Sequence, residues 1–126
     1  MWLRYVDDTF VIWPHGRDKL QDFLSLLNEH HPSISFSFEI EANNTLPFLD
    51  VAVSRNSNGT LGHKVYRKPT HTDRYLNYRS FHHPSVKQSV SKSLVRRAHQ
   101  ICDETSLPQE LQHVKNALIN NGFPPH

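Results

Sequence analysis

The sequence predicts an α+β chain: an antiparallel sheet assembled from hairpins, followed by an all-helical pair. Three observations carry this. Ile34, Phe36, Phe38 and Ile40 alternate with Ser35, Ser37, Glu39 and Glu41, the period of two that marks a strand with one buried face. Leu20, Phe23, Leu24 and Leu27 follow the i, i+3, i+4, i+7 spacing of an amphipathic helix between strand-like runs. From Pro84 onward Val86, Val90, Leu94, Ala98 and Ile101 recur at helical spacing with no strand-like run after them.

In chain order, Leu3–Trp13 reads as two short strands around a tight turn at Val6-Asp7-Asp8, ended by Pro14-His15-Gly16. A helix is placed over 17–30, stopped before Pro32 because the residue preceding a proline avoids helical geometry. Strand 34–41 follows, then a turn at Asn43-Asn44. A further strand covers Phe48–Arg55, and Leu61–Arg67 is its return strand. Asn58-Gly59 between them predicts a type I′ hairpin turn, whose central positions both need positive φ. Residues 69–83 show no clean period. Pro84 suits the first turn of a helix. Ser106-Leu107-Pro108-Gln109 matches a capping box opening a last helix with Leu111, Val114 and Leu118 as its stripe. Gly122 is its stop. Two helices joined by a short turn make a helical hairpin or a helix-turn-helix-like pair.

The chain has 126 residues, enough for one domain or parts of two. No apolar run approaches the ~20 residues of a membrane span, so no membrane partner is expected, and Met1-Trp2-Leu3-Arg4 does not resemble a signal peptide. The single cysteine, Cys102, excludes an internal disulfide framework and suits a reducing, intracellular setting. It lies beside Ala98 and Ile101, a place for burial rather than reactivity.

The net charge of +2 hides an asymmetry. Residues 1–50 carry three basic and eight acidic side chains; residues 51–126 carry eleven basic and four acidic. A polyanion is the natural partner of the basic part; a solvated basic face is the plainer alternative. Within VYRKPTHTDRYLNYR, Arg67, Lys68, His71, Arg74 and Arg79 interleave with Tyr66, Tyr75 and Tyr78, and Lys87, Lys92, Arg96 and Arg97 follow on the next helix. Cations neutralise phosphates and aromatic faces stack on bases. In the alternative, the tyrosines pack under the sheet and only the cations face solvent. Zinc is not expected despite ten histidines, because one cysteine and the adjacent pairs His30-His31 and His82-His83 do not supply a four-ligand set.

Asp7 and Asp8 raise the question of chemistry. Adjacent strand residues point to opposite faces, so a turn is needed for these carboxylates to project together. Mg²⁺ takes one or two carboxylates plus substrate phosphates, and a polymerase places two such ions ~4 Å apart. Ordinary turn chemistry also favours Asp.

Tyr5-Val6-Asp7-Asp8 resembles the metal-binding hairpin of reverse transcriptases. With LRYVDDTFVIWPHG, LPFLDVAVSR and VYRKPTHTDRYLNYRSFHHP, the chain from Leu3 to about Pro124 is similar to the reverse transcriptases of Penelope-like retroelements. The resemblance implies a palm-type sheet and a helical thumb. Residues 1–68 would be the C-terminal part of the palm, 69–83 a basic and aromatic connector, and 84–126 the thumb. Asp7 would be a direct ligand of Mg²⁺ or Mn²⁺, Asp8 a weaker or outer carboxylate, and Tyr5 and Val6 the turn beside the primer terminus. Leu46, Pro47, Phe48, Leu49 and Asp50 would form a hairpin like the primer grip. The implied partners are an RNA or DNA template–primer duplex and the missing fingers and upstream palm; the implied location is nuclear.

Polymerase palms supply another catalytic aspartate from upstream, and only six residues precede Asp7. The chain is therefore expected to be a truncated reverse transcriptase, inactive alone and holding no metal tightly. Two alternatives stand beside it: a helix-turn-helix-like nucleic-acid-binding module over about 84–121 without catalysis, and a non-functional transposon relic whose bare strand 34–41 aggregates.

Overall fold

A computed structural model describes residues 1–125. The chain is α+β and divides into two units, Met1–Glu41 and the remainder from Ala42. This boundary lies inside the segment 1–68 that the sequence reads as one domain.

The first unit opens with an antiparallel hairpin. Strand β1 (Trp2–Tyr5) pairs with β2 (Asp8–Val11), Tyr5 opposite Asp8 and Trp2 opposite Val11. The turn is two residues, Val6-Asp7, so Asp8 is already the first residue of a strand. A single 3₁₀ turn (Arg17–Lys19) leads into helix α1 (Leu20–Asn28). Phe23 of α1 meets Trp2 edge-on at 6.1 Å and Trp13 at 4.8 Å, and Trp13 Nε1 donates to the Gly16 carbonyl at 2.7 Å. This aromatic cluster holds helix to hairpin without fully burying any residue.

Residues 34–41 are not a strand. They run irregularly, with Ile34 and Phe38 exposed. An alternating pattern makes a strand only where a neighbour completes the ladder. Here the Phe36 backbone instead pairs with the Asn28 side chain, its N–H donating to Oδ1 at 2.5 Å and its carbonyl accepting from Nδ2 at 3.2 Å.

The second unit is a three-stranded meander, β3 (Thr45–Phe48), β4 (Val51–Arg55) and β5 (Leu61–Val65), in that order. Phe48–Arg55 is thus not one strand: a two-residue turn, Leu49-Asp50, splits it, with Leu49 at φ 54°. The predicted type I′ geometry at Asn58-Gly59 is also absent. Only Gly59 has positive φ, 85°. The loop runs from Asn56 to Thr60, closed by Gly59 N–H to the Asn56 carbonyl at 3.1 Å and Asn56 N–H to the Thr60 carbonyl at 2.9 Å, the longer hairpin form with glycine in the left-handed region. The type I′ pattern belongs to Asn43-Asn44, at φ 53° and 60°, where Ala42 and Thr45 exchange both backbone bonds at 3.1 and 3.0 Å.

Helices α2 (Pro84–Ile101) and α3 (Leu107–Asn120) pack on each other and on β5. The core is Ala52 and Val65 from the sheet, Ala98 and Cys102 from the α2 end, and Val114, Ala117 and Phe123 from α3 and its C-terminus. Small residues at Ala98 and Ala117 permit close approach of the helices. Helix α3 ends as predicted at Gly122, φ 86°. Gly122 N–H reaches the Ile119 carbonyl and Phe123 N–H the Leu118 carbonyl, each at 3.0 Å, a Schellman motif with Phe123 as its buried apolar member.

The expected capping box does not form: Ser106 makes no side-chain cap bond. Its hydroxyl donates to Asp103 Oδ1 at 2.6 Å. That oxygen also accepts from Ser106 N–H at 2.9 Å and from Thr105 Oγ1 at 2.9 Å. Meanwhile Asp103 Oδ2 accepts from His63 N–H at 3.0 Å, and Asp103 N–H donates to the His63 carbonyl at 2.8 Å. One aspartate both organises the α2–α3 turn and completes the open edge of β5, a use for otherwise unpaired edge groups. Four hydrogen bonds favour its charged form, led by the Ser106 hydroxyl, and hold the Asp103 carboxyl far below the ordinary carboxylate range.

Candidate nucleic-acid interface

From Arg74 to Cys102 the sequence has six Lys or Arg side chains and no acid, and the structure sorts these cations. Lys92 and Arg96 lie four residues apart on the exposed side of α2 and form no ion pair among the described residues. Arg74, Arg79 and Lys68, on the segment leading to α2, are likewise exposed. Lys87 is half-buried, its Nζ 5.2 Å from the centre of the Tyr78 ring, which keeps cation and aromatic face together. Arg97 reaches Asp50 at 3.6 Å, so the turn of the Leu46–Asp50 hairpin lies beside α2.

Arg67 has a different position. Its guanidinium forks onto Glu110 in the first turn of α3, Nη1 to Oε2 at 2.9 Å and Nη2 to Oε1, and its Nε lies 3.6 Å from Asp73. Both side chains are largely shielded, 18% and 10% exposed, so Arg67 ties the end of the sheet to α3. The Glu110 hydrogen bond keeps its proton held beyond the ordinary arginine value, against the effect of burial.

Asp73, the one acid among the basic residues of the connector, stands at φ 55° and gathers two histidines around it. Its Oδ1 is 2.7 Å from His71 Nε2 and its Oδ2 is 2.9 Å from His113 Nε2. Burial pushes the Asp73 carboxyl up, but the bonds and charges of His113 and His71 outweigh it and hold the carboxyl below its usual value. His71 is thereby a structural partner of Asp73, with Tyr75 Oη 3.5 Å away. Asn121 clamps the connector from the other side. Its Nδ2 donates to the Asp73 carbonyl at 2.8 Å, its Oδ1 accepts from Tyr75 N–H at 3.0 Å, and its own carbonyl accepts from Tyr78 N–H at 2.9 Å.

Tyr75 is thus half-buried and Tyr78 41% exposed, so neither ring is packed away under the sheet. Phe81, next along, is fully exposed. Sequence reading passed over Phe81, Glu110, Asp103 and Asn121. The signal for Phe81 was the same interleaving of ring and cation that marked Tyr75 and Tyr78. For the other three it was an acid or amide bordering a helix end, the usual place for backbone capping.

The second group of predicted residues lies in the first unit. Tyr5 and Val6 are exposed and Val6 has φ 51°, rare for a β-branched residue. Asp7 on the turn and Asp8 opening β2 are both exposed. Among the described residues no three His, Cys, Asp or Glu side chains gather into a metal-binding group. Two carboxylates on an exposed tip fit a hard cation that takes its other ligands from phosphates and water; they do not make a closed protein site. No helix among the described residues is long and apolar enough to cross a membrane.

Residues 74–126, under half of the chain, match the family model of the animal helix-turn-helix domain. The match begins in the connector and spans α2, the Asp103 turn and α3. Comparison with curated proteins and with solved structures gave no match.

Proposed function

We propose that the second unit binds duplex nucleic acid, as a helix-turn-helix-like module with no catalysis of its own. The observation that carries this reading is the run of six Lys and Arg residues, uninterrupted by an acid, along α2 and its approach segment, within the residues similar to the animal helix-turn-helix domain. The available cations lie on α2, with Lys87, Lys92 and Arg96 beside the Arg97–Asp50 pair, whereas α3 carries a single lysine, Lys115. The first helix is therefore the phosphate-facing one. From Pro84 to Arg96, α2 runs for about 18 Å, the span of about five phosphates along one strand.

Binding of this kind weakens steeply with salt. With three or four phosphates neutralised, log K is expected to fall against log salt with a slope of roughly −3 to −4. Changing Lys92 and Arg96 together to glutamine should cut that slope by about 2 without altering the fold. Titration of the full chain against labelled duplex at several salt concentrations measures both. A slope near zero overturns the reading.

A second reading is favoured by the Val6-Asp7 turn. In it the chain is part of an RNA-directed DNA polymerase of a Penelope-like retroelement, with the sheet as palm, Leu46–Asp50 as primer grip, the helical pair as thumb, and a nuclear place of action. A strained turn that presents a carboxylate is the kind of outlier that accompanies function. Mg²⁺ or Mn²⁺ bound there would be shared by Asp7, Asp8 and nucleotide phosphates, supplying charge neutralisation; the further carboxylate and nucleotide pocket would come from residues outside 1–126. The isolated chain is then inactive. Weak Mn²⁺ binding that broadens the amide signals of Val6–Thr9 supports this reading, and broadening that survives Asp7→Asn with Asp8→Asn overturns it.

A further inference from the structure

Phe81 is the most exposed large apolar residue of the described chain, at 108% of its reference area. Leaving a phenylalanine in water forgoes the stabilisation that burial of so large an apolar side chain contributes. A ring on a mobile tail would need no account, but this one stands on a backbone held from both sides. On one side Asn77 accepts from Arg79 N–H with its Oδ1 at 2.8 Å and from Ser80 N–H with its carbonyl at 3.0 Å. Tyr78 N–H anchors the same turn to the end of α3 through Asn121. On the other side His82 Nδ1 meets the Ser80 hydroxyl at 2.9 Å, and His83 caps α2, its Nδ1 accepting from Ser85 N–H at 3.2 Å. The fold thus presents the ring outward on a short, ordered bend.

The surroundings of the ring define its partner. Arg79 lies two residues before it and Tyr78, whose ring carries Lys87, three residues before it; no acid occurs in sequence between Arg74 and Cys102. An apolar protein partner would meet this ring beside the exposed Arg79 cation. A nucleic acid meets it with phosphates for the cations and a π-face for the ring, the pairing used wherever unpaired bases are held on aromatic side chains. Within a closed duplex the bases are stacked on each other, and a ring must wedge them apart at the cost of that stacking. At a duplex end or junction an unpaired base offers its face at no such cost.

We propose that Phe81 is a base-stacking residue, capping an unpaired base where a duplex lying along α2 ends. The proposal rests on the nucleic-acid reading above and adds the form of the ligand: a duplex with an overhang, in preference to uninterrupted duplex.

The test compares two labelled duplexes that differ in one atom group, a single-nucleotide adenine overhang and the same overhang made abasic, by fluorescence anisotropy with the full chain. The phosphates are identical, so the ratio of affinities reads stacking alone. The wild-type chain is expected to prefer the base-bearing overhang about 5- to 150-fold. Phe81→Ala should erase that preference and leave binding of the abasic duplex and its salt slope unchanged; Phe81→Trp should keep it. Because the ring touches no core residue, these variants should retain the wild-type circular dichroism. Equal wild-type affinity for both duplexes, or a preference that persists in Phe81→Ala, overturns the proposal while leaving the nucleic-acid reading intact. Absence of salt-dependent binding to either duplex overturns both.

Discussion

Arg67 shows how one residue's surroundings decide its role. Placed in a run of cations it reads as a phosphate contact; placed between Glu110 and Asp73 it is a strut. Removing one member of a shielded charge pair leaves the other desolvated and alone. Arg67→Met is therefore expected to lower the stability of the second unit by about 2–3 kcal/mol, measured by urea unfolding, and to change duplex affinity much less than Lys92→Gln. Equal stability with lost affinity would return Arg67 to the binding surface. The same logic accounts for His71, taken up by Asp73. Lys92 and Arg96, with no such partner among the described residues, keep their charge available to a ligand.

At the scale of elements, the α2–α3 turn depends on Asp103. Its folded carboxyl is held far below the ordinary value, so the charged form is the stabilising one. Its contribution is fully present above the ordinary carboxylate range, near pH 4, and is lost as pH falls below it toward the folded value. Asp73 acts in the same direction. Acid should therefore destabilise the second unit as the pH drops below about 4. Asp103→Asn should lower the midpoint of thermal unfolding at pH 7 and make the acid limb shallower, followed by circular dichroism against pH. An unchanged acid limb would assign the turn's stability to backbone bonds alone. The two hairpin turns Val6-Asp7 and Leu49-Asp50 share another device: an apolar residue at positive φ, where a type II′ turn favours glycine. Leu49→Gly should relieve that strain and gain about 0.5–1 kcal/mol, small because glycine also loses more chain entropy on folding.

At the scale of the whole molecule, the buried residues among those described all belong to the second unit, whereas the first is held by the Trp2–Phe23–Trp13 cluster. The irregular stretch 33–41 is the last part of the first unit. Limited proteolysis is expected to cut first within 33–41 and to leave a resistant product beginning near Ala42, identified by mass spectrometry. First cuts inside 84–120 would contradict this ordering.

Much of the architecture was legible in the residues alone. Helix α2 with Pro84 in its first turn, helix α3 with its Gly122 stop, the Asp-bearing hairpin and the basic character of the approach to α2 all follow from local signals: spacing of apolar side chains, proline and glycine punctuation, and unbalanced charge. These are properties that a segment carries with it. What required the tertiary structure was every feature that depends on a partner distant in sequence. Residues 34–41 have a strand's alternation but no neighbouring strand, so their backbone turns to Asn28 instead. Ser106 has a capping sequence, but its hydroxyl binds the Asp103 carboxylate, which is itself oriented by the edge of β5. Which cations stay free for phosphates was decided by where Glu110 and Asp73 came to rest, because a charge is available to a ligand only when folding has not already neutralised it.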